Sequence, residues 1–213
     1  MNVYEAFEKL SDAKKEKIIK SSMEVFAEKG YVNASTNDII KKAGISKGIL
    51  FHYFGNKKNL YLYVLDRTLE IAVGKISTGN GTASSDLFER ISATGMMKLR
   101  LALEEPLIYR MIFTTFINTP DPIKEAVQDR YKKLYGFAMK MFFDGLDLSK
   151  IRSGVDPNKA IEVILLFLEG YQAKYIEAWK NISADEALAS MDKLMEESGV
   201  YFDILKKGIY SNS

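Results

Sequence analysis

The chain of 213 residues is 47% hydrophobic and 27% charged, the balance of an ordinary globular protein, which excludes fibrous and disordered classes. With no cysteine and a single histidine, it has no disulfide framework, no thiolate nucleophile and no cluster to ligate a metal, so neither metal nor cofactor is expected. The net charge of +2 hides an asymmetry: residues 1 to 60 hold 11 lysines against 7 acidic side chains, while the remainder is net negative, and this points to a polyanionic partner for the first quarter of the chain.

No apolar run reaches the ~18 to 20 residues that span a bilayer, and the opening MNVYEAFEKLSDAKKEKII has no hydrophobic segment of signal-peptide type, so a cytoplasmic protein without a membrane partner is expected. Apolar residues recur at spacings of three and four almost throughout, which predicts an all-α protein. The first helix runs from about Ser11 to Lys29, with Ile18, Ile19, Ser22, Val25 and Phe26 on one face and Gly30 as its stop. Ser35-Thr36-Asn37-Asp38 has the pattern of a capping box and opens a short helix with Ile39, Ile40 and Ala43 as its buried stripe and Gly44 at its end. Ser46 then caps a second short helix, about Lys47 to Phe54, which Gly55-Asn56 terminates.

A long helix is predicted from about Lys57 to Ile76, followed by a flexible loop at Ser77 to Ser85. Beyond it the pattern predicts Asp86 to Glu104, Leu107 to Phe116, Asp121 to about Gly145, Asp156 to about Asn181, and Ser183 to about Lys207. Pro106, Pro122 and Pro157 each suit a first helical turn, where a missing donor costs nothing.

In projection at ~100° per residue, the helix Lys47 to Phe54 puts Leu50 and Phe54 on one side, to pack on the first helix. Gly48, Ile49, His52 and Tyr53 fall on the other, a mixed surface that suits a major groove. Gly48 permits close approach, Ile49 can touch a thymine methyl, and Lys47 and His52 can bond base edges. Thr36, Tyr53 and Lys57 are placed to meet phosphates.

The stretch AGISKGILFHYFGNKKNL, Ala43 to Leu60, resembles the helix-turn-helix signature of the TetR family of transcription regulators, and VFAEKGYVNASTNDII, Val25 to Ile40, resembles the segment preceding it. The resemblance spans about residues 10 to 65. It implies an N-terminal three-helix helix-turn-helix domain, residues 1–56, and a larger C-terminal helical domain for ligand binding and dimerisation, residues 57–213. By position it implies phosphate contacts at Thr36, Tyr53 and Lys57 and base contacts at Asn37, Lys47, Gly48, Ile49 and His52. At Phe51 the family commonly has a tyrosine whose hydroxyl reaches a phosphate, a bond phenylalanine cannot make. The implied function is a transcription regulator, a repressor more than an activator, acting on a palindromic double-stranded operator.

In the C-terminal part, Ala160 to Trp179 is apolar over more than one stripe, and Leu188, Met191, Leu194, Met195, Tyr201, Phe202 and Leu205 continue the pattern. Helices this broad in apolar coverage bury two sides, which predicts a homodimer through the last two helices. Met97, Phe113, Phe116, Tyr131, Phe142, Phe167 and Tyr171 are candidates to line a cavity for a small hydrophobic effector. An enzyme is not expected, because one histidine cannot supply two Glu-x-x-His motifs and no phosphate loop or dinucleotide fingerprint occurs. A helical interaction module would leave the capped short helices and the N-terminal charge unexplained.

Overall fold

The computed structural model describes residues 4–78 and 84–210, so most of the predicted loop at Ser77 to Ser85 lies outside the described residues. Among those described, the chain is helical with no β-strand, apart from one isolated bridge between Ile151 and Tyr210. The helices are α1 (Glu5–Glu8), α2 (Asp12–Asn33), α3 (Thr36–Ala43), α4 (Lys47–Phe54), α5 (Lys57–Thr78), α6 (Leu87–Glu104), α7 (Pro106–Ile117), α8 (Lys124–Phe143), α9 (Pro157–Trp179), α10 (Ala184–Ala189) and α11 (Met191–Ile209). A short 3-10 turn, Asp121–Ile123, precedes α8, so the helix predicted from Asp121 starts three residues later.

Two compact units form. The first comprises residues 1–73 and 105–134, the second 74–104 and 135–213. The first unit therefore extends past residue 56. Its core explains why: Leu60, Tyr61, Val64 and Leu65 of α5 are buried together with Phe26 of α2 and with Ile108 and Met111 of α7. Helix α7 runs against α2, and the Tyr61 hydroxyl meets the Thr115 hydroxyl at 2.7 Å. Thr115 gives its own proton to the Met111 carbonyl at 2.6 Å, so Tyr61 is the donor of the pair. Burial pushes the Tyr61 phenol up to about 12, against the opposing effect of its Thr115 bond.

Helix α1 was not foreseen. Its Phe7 is fully buried, with ring centroids 5.7, 4.8 and 5.2 Å from those of Tyr53, Phe54 and Tyr63. Glu8 accepts from the Tyr63 hydroxyl at 2.6 Å and from Arg67 at 3.4 Å, pinning the end of α1 to α5. Arg130 of α8 grips both carboxylate oxygens of Asp66 at 2.5 and 2.7 Å, a two-pronged pairing that adds direction to charge.

In the second unit Leu87, Phe88, Ile91, Ala160, Ile164, Ile209 and Tyr210 form the core. Asp86 caps α6 by accepting from the backbone N–H of Phe88 and Glu89, and its other oxygen takes Lys150 at 2.8 Å. Arg90, only 2% exposed, is satisfied by the carbonyls of Ser84, Phe142 and Asp144. The single helix predicted from Ser183 is two. Ser183 and Glu186 form a full capping box for α10, and the chain turns at Ser190, whose N–H bonds back to Glu186 and Ala187 before α11 begins.

Candidate nucleic-acid interface

Gly30 interrupts α2 at φ 65°, where the first helix was predicted to stop, and one further turn leads to α3. Ser35 caps α3 by accepting from the Asn37 N–H at 3.2 Å. The capping box expected there does not close, because the Asp38 carboxylate takes the Lys29 ammonium at 2.9 Å instead of reaching back to the Ser35 backbone. Gly44 ends α3 at φ 69°, a left-handed conformation that non-glycine residues adopt only at a cost, and its N–H bonds to the Ile40 carbonyl. Ser46 then caps α4 through the Ile49 N–H at 3.3 Å. Two short helices are thus set across a three-residue turn.

Leu50 and Phe54 of α4 are 2% and 1% exposed. The sequence pointed this side at the first long helix, yet the Phe54 ring packs among Tyr4, Phe7 and Tyr63, from α5 and the N-terminal segment. The opposite side is open: Lys47, Gly48, Ile49 and His52 are exposed, with Ile49 at 42%. A Cβ built on Gly48 meets nothing nearer than the Ser46 hydroxyl at 3.9 Å, so its backbone faces free space. Tyr53 departs from the outward placement, being half-buried with its ring edge-on to Phe7 and its neighbour His52 5.5 Å away.

Thr36 is half-buried and Asn37 exposed at the start of α3, where free backbone donors favour anions. Lys57, at the start of α5, donates to the Val32 carbonyl at 3.0 Å and lies 4.9 Å above the Tyr31 ring. Burial holds its ammonium below the usual lysine range. That bond uses one of its three donors and leaves two.

Five of the seven acidic residues in residues 1 to 60, Glu5, Glu8, Asp12, Glu24 and Asp38, pair with lysines. Among the described residues no carboxylate pairs with Lys17, Lys20, Lys41, Lys47 or Lys58, so the region's net positive charge is carried by ammonium groups without a carboxylate partner.

Residues 18–64 match the profile of bacterial regulatory proteins of the tetR family, a span that opens in α2 and closes in α5 around this arrangement. This segment is that of a TetR-family regulator. The chain is 25% identical over 185 residues to the transcriptional repressor AcnR of Corynebacterium glutamicum, a match covering 85% of this chain and 90% of that one. It is 29% identical over 117 residues to the transcriptional activator FasR of Mycolicibacterium smegmatis, covering 55% and 53%. A TetR-family regulator from Chloroflexus aurantiacus shares the fold, with a TM-score of 0.58 at 19% identity and 98% of each chain covered. The protein is a DNA-binding transcription regulator.

The seven effector-cavity candidates divide between the units: Phe113, Phe116 and Tyr131 lie in the first, Met97, Phe142, Phe167 and Tyr171 in the second. A cleft of about 420 Å³ in the second unit is lined by Phe88, Glu89, Ser92, Phe202, Asp203 and Lys206 and contains none of them. No helix among the described residues is long and apolar enough to cross a membrane.

Proposed function

We propose that this regulator is a homodimeric repressor that binds a palindromic operator through α3 and α4 and releases it on binding a small hydrophobic effector. The observation that carries the reading is the exposed face of α4, Lys47, Gly48, Ile49 and His52, held out beyond the Gly44 turn in a region of unpaired lysines. Lys47 and His52 supply hydrogen bonds to base edges, with Asn37 beside them, while Ile49 meets a thymine methyl at the place where Gly48 lets the backbone approach. Thr36, Tyr53 and Lys57 hold the phosphates on either side. Residues 1–56 serve as the reading head and 57–213 as the effector and dimer region, with effector candidates Met97, Phe113, Phe116, Tyr131, Phe142, Phe167 and Tyr171.

Apolar side chains left in the open support the dimer. Val163 and Leu166 of α9 are 48% and 62% exposed, and Val200 and Ile204 of α11 are 59% and 63%. Spacings of three and four put each pair on one stripe, and a second copy of the same helices would cover both. Repression by the effector-free form requires that the effector bind the DNA-incompatible arrangement more tightly, since only differential affinity shifts a population. Helix α5, which follows the reading head directly and whose residues up to 73 fall in the first compact unit, is the element we assign to carry that shift.

Fluorescence anisotropy against duplex DNA over a salt series tests the reading. Each neutralised phosphate contributes a slope of ~0.9 to the fall of log affinity with log salt. Lys57→Met is expected to weaken all duplexes alike and to reduce that slope by about 1, whereas Ile49→Ala chiefly relaxes sequence preference. Affinity insensitive to salt would refute it.

A further inference from the structure

Two separate groups hold the Lys57 ammonium at the start of α5, and both come from the end of α2. Gly30 breaks α2, and the chain makes one more turn, closed by the Ala34 N–H on the Gly30 carbonyl at 3.2 Å. The Val32 carbonyl lies in that last turn, where carbonyls have no partner within the helix, and Lys57, 25 residues further on, donates to it at 3.0 Å. The same ammonium stands 4.9 Å from the centroid of the Tyr31 ring, inside the ~6 Å over which the negative face of an aromatic ring attracts a cation.

The Tyr31 ring is itself fixed. It lies edge-on to Tyr61, with centroids 5.1 Å apart, and Tyr61 lies edge-on to Phe26 at 4.8 Å. Tyr61 and Phe26 are 1% and 0% exposed, and the Tyr61 hydroxyl is bonded to Thr115 of α7, so Tyr31 leans on the immobile core of the first unit. Packing accounts for that edge of the ring. It does not account for a lysine of another helix laid over the face, when Lys58, the next residue, is exposed and among the described residues makes neither contact. A lysine free in water loses rotamer freedom when it is ordered on a phosphate. Lys57 has that freedom narrowed beforehand, and two of its three N–H donors remain for an anion.

We propose that Tyr31 is a positioning residue for DNA binding: its ring face, with the Val32 carbonyl, presets the Lys57 ammonium for a backbone phosphate, and Tyr31 strengthens binding through Lys57 alone. The inference rests on the reading of Lys57 as a phosphate contact. Because a phosphate carries no base identity, the contribution of Tyr31 is the same on every sequence.

The test is a double-mutant cycle on the full chain, read by fluorescence anisotropy against a mixed-sequence DNA duplex at low salt. The proteins are the native chain, Tyr31→Leu, Tyr31→Phe, Lys57→Met and the Tyr31→Leu, Lys57→Met double variant. Tyr31→Leu is expected to weaken binding about three- to tenfold when Lys57 is present and less than about twofold when it is methionine. Tyr31→Phe keeps the ring face over which the ammonium sits and is expected to bind within about twofold of the native chain. Leucine keeps an apolar side chain against Tyr61, and any loss from disturbed packing would appear equally in both backgrounds. Equal losses from Tyr31→Leu with and without Lys57, no loss in either, or a Tyr31→Phe variant as weak as Tyr31→Leu, overturn the positioning role while leaving the phosphate contact standing. Lys57→Met binding as tightly as the native chain refutes the phosphate contact itself, and the proposal with it.

Discussion

Replacing Phe7 with alanine removes the side chain that docks α1 against α4 and α5. The ring is fully buried against Tyr53, Phe54 and Tyr63. Complete burial of an aromatic ring and the void it leaves put the cost of a Phe→Ala change at about 3 to 5 kcal/mol. The lower end applies, because a four-residue helix near the chain start can undock as a whole, and the cost cannot exceed that of undocking. We therefore predict a loss of about 3 kcal/mol in the opening free energy of α4, or roughly a hundredfold in amide exchange at ~1.4 kcal/mol per tenfold. Hydrogen exchange at the amides of Lys47–Phe54 is the suitable assay, since the only tryptophan, Trp179, lies in the second unit. Phe7→Leu keeps most of the apolar volume and is expected to retain over half of the protection. A loss below about 1 kcal/mol in Phe7→Ala would show that α4 does not depend on α1.

Tyr61→Phe removes the donor to Thr115 while leaving the Thr115 bond to Met111 in place, and is expected to cost about 0.5 to 1.5 kcal/mol by chemical denaturation. Gly44→Ala forces a non-glycine residue to φ 69°, with a predicted penalty of about 1 to 2 kcal/mol and a matching fall in melting temperature. Asp86→Ala deletes the cap of α6 and is expected to cost about 1 kcal/mol at neutral pH. Burial alone would raise the Asp86 carboxyl, but the bonds from Lys150 and the Glu89 backbone outweigh it and hold the group below the ordinary aspartate value. Its contribution is therefore present above pH ~4 and lost as the pH falls through the lowered folded value, so Asp86→Ala flattens the acid limb of the stability curve. Ile204→Glu places a charge on the open apolar stripe of α11, and on the proposed dimer sedimentation is expected to show a dimeric native chain and a monomeric variant, whereas equal masses would contradict that interface.

Elements whose signals are local were legible in the sequence. Ser46, Gly44 and Gly30 announce the start of α4, the turn before it and the break in α2 through their own hydrogen bonds and backbone angles. Ser35 and Asp38 mislead because a lysine nine residues earlier, Lys29, competes for the carboxylate, which spacing alone does not reveal. Helix α1 is too short to form by propensity and exists through the docking of Phe7, a tertiary effect. The break at Ser190 falls inside a run of good helix formers, so no pattern announced it. On the reading surface, Ile49 and His52 were placed outward correctly, while Tyr53 turns partly inward because Phe7 offers it an aromatic edge.

The claim beneath all of this is that α4 reads DNA with its open face. Selection of bound sequences from a random duplex pool, run in parallel with the native chain and with an Ile49→Ala, Lys47→Ala double variant, tests it most directly. The account predicts enrichment of an inverted repeat by the native chain and a degraded consensus with the variant. A native pool that stays unenriched, or an identical consensus from both proteins, would contradict it.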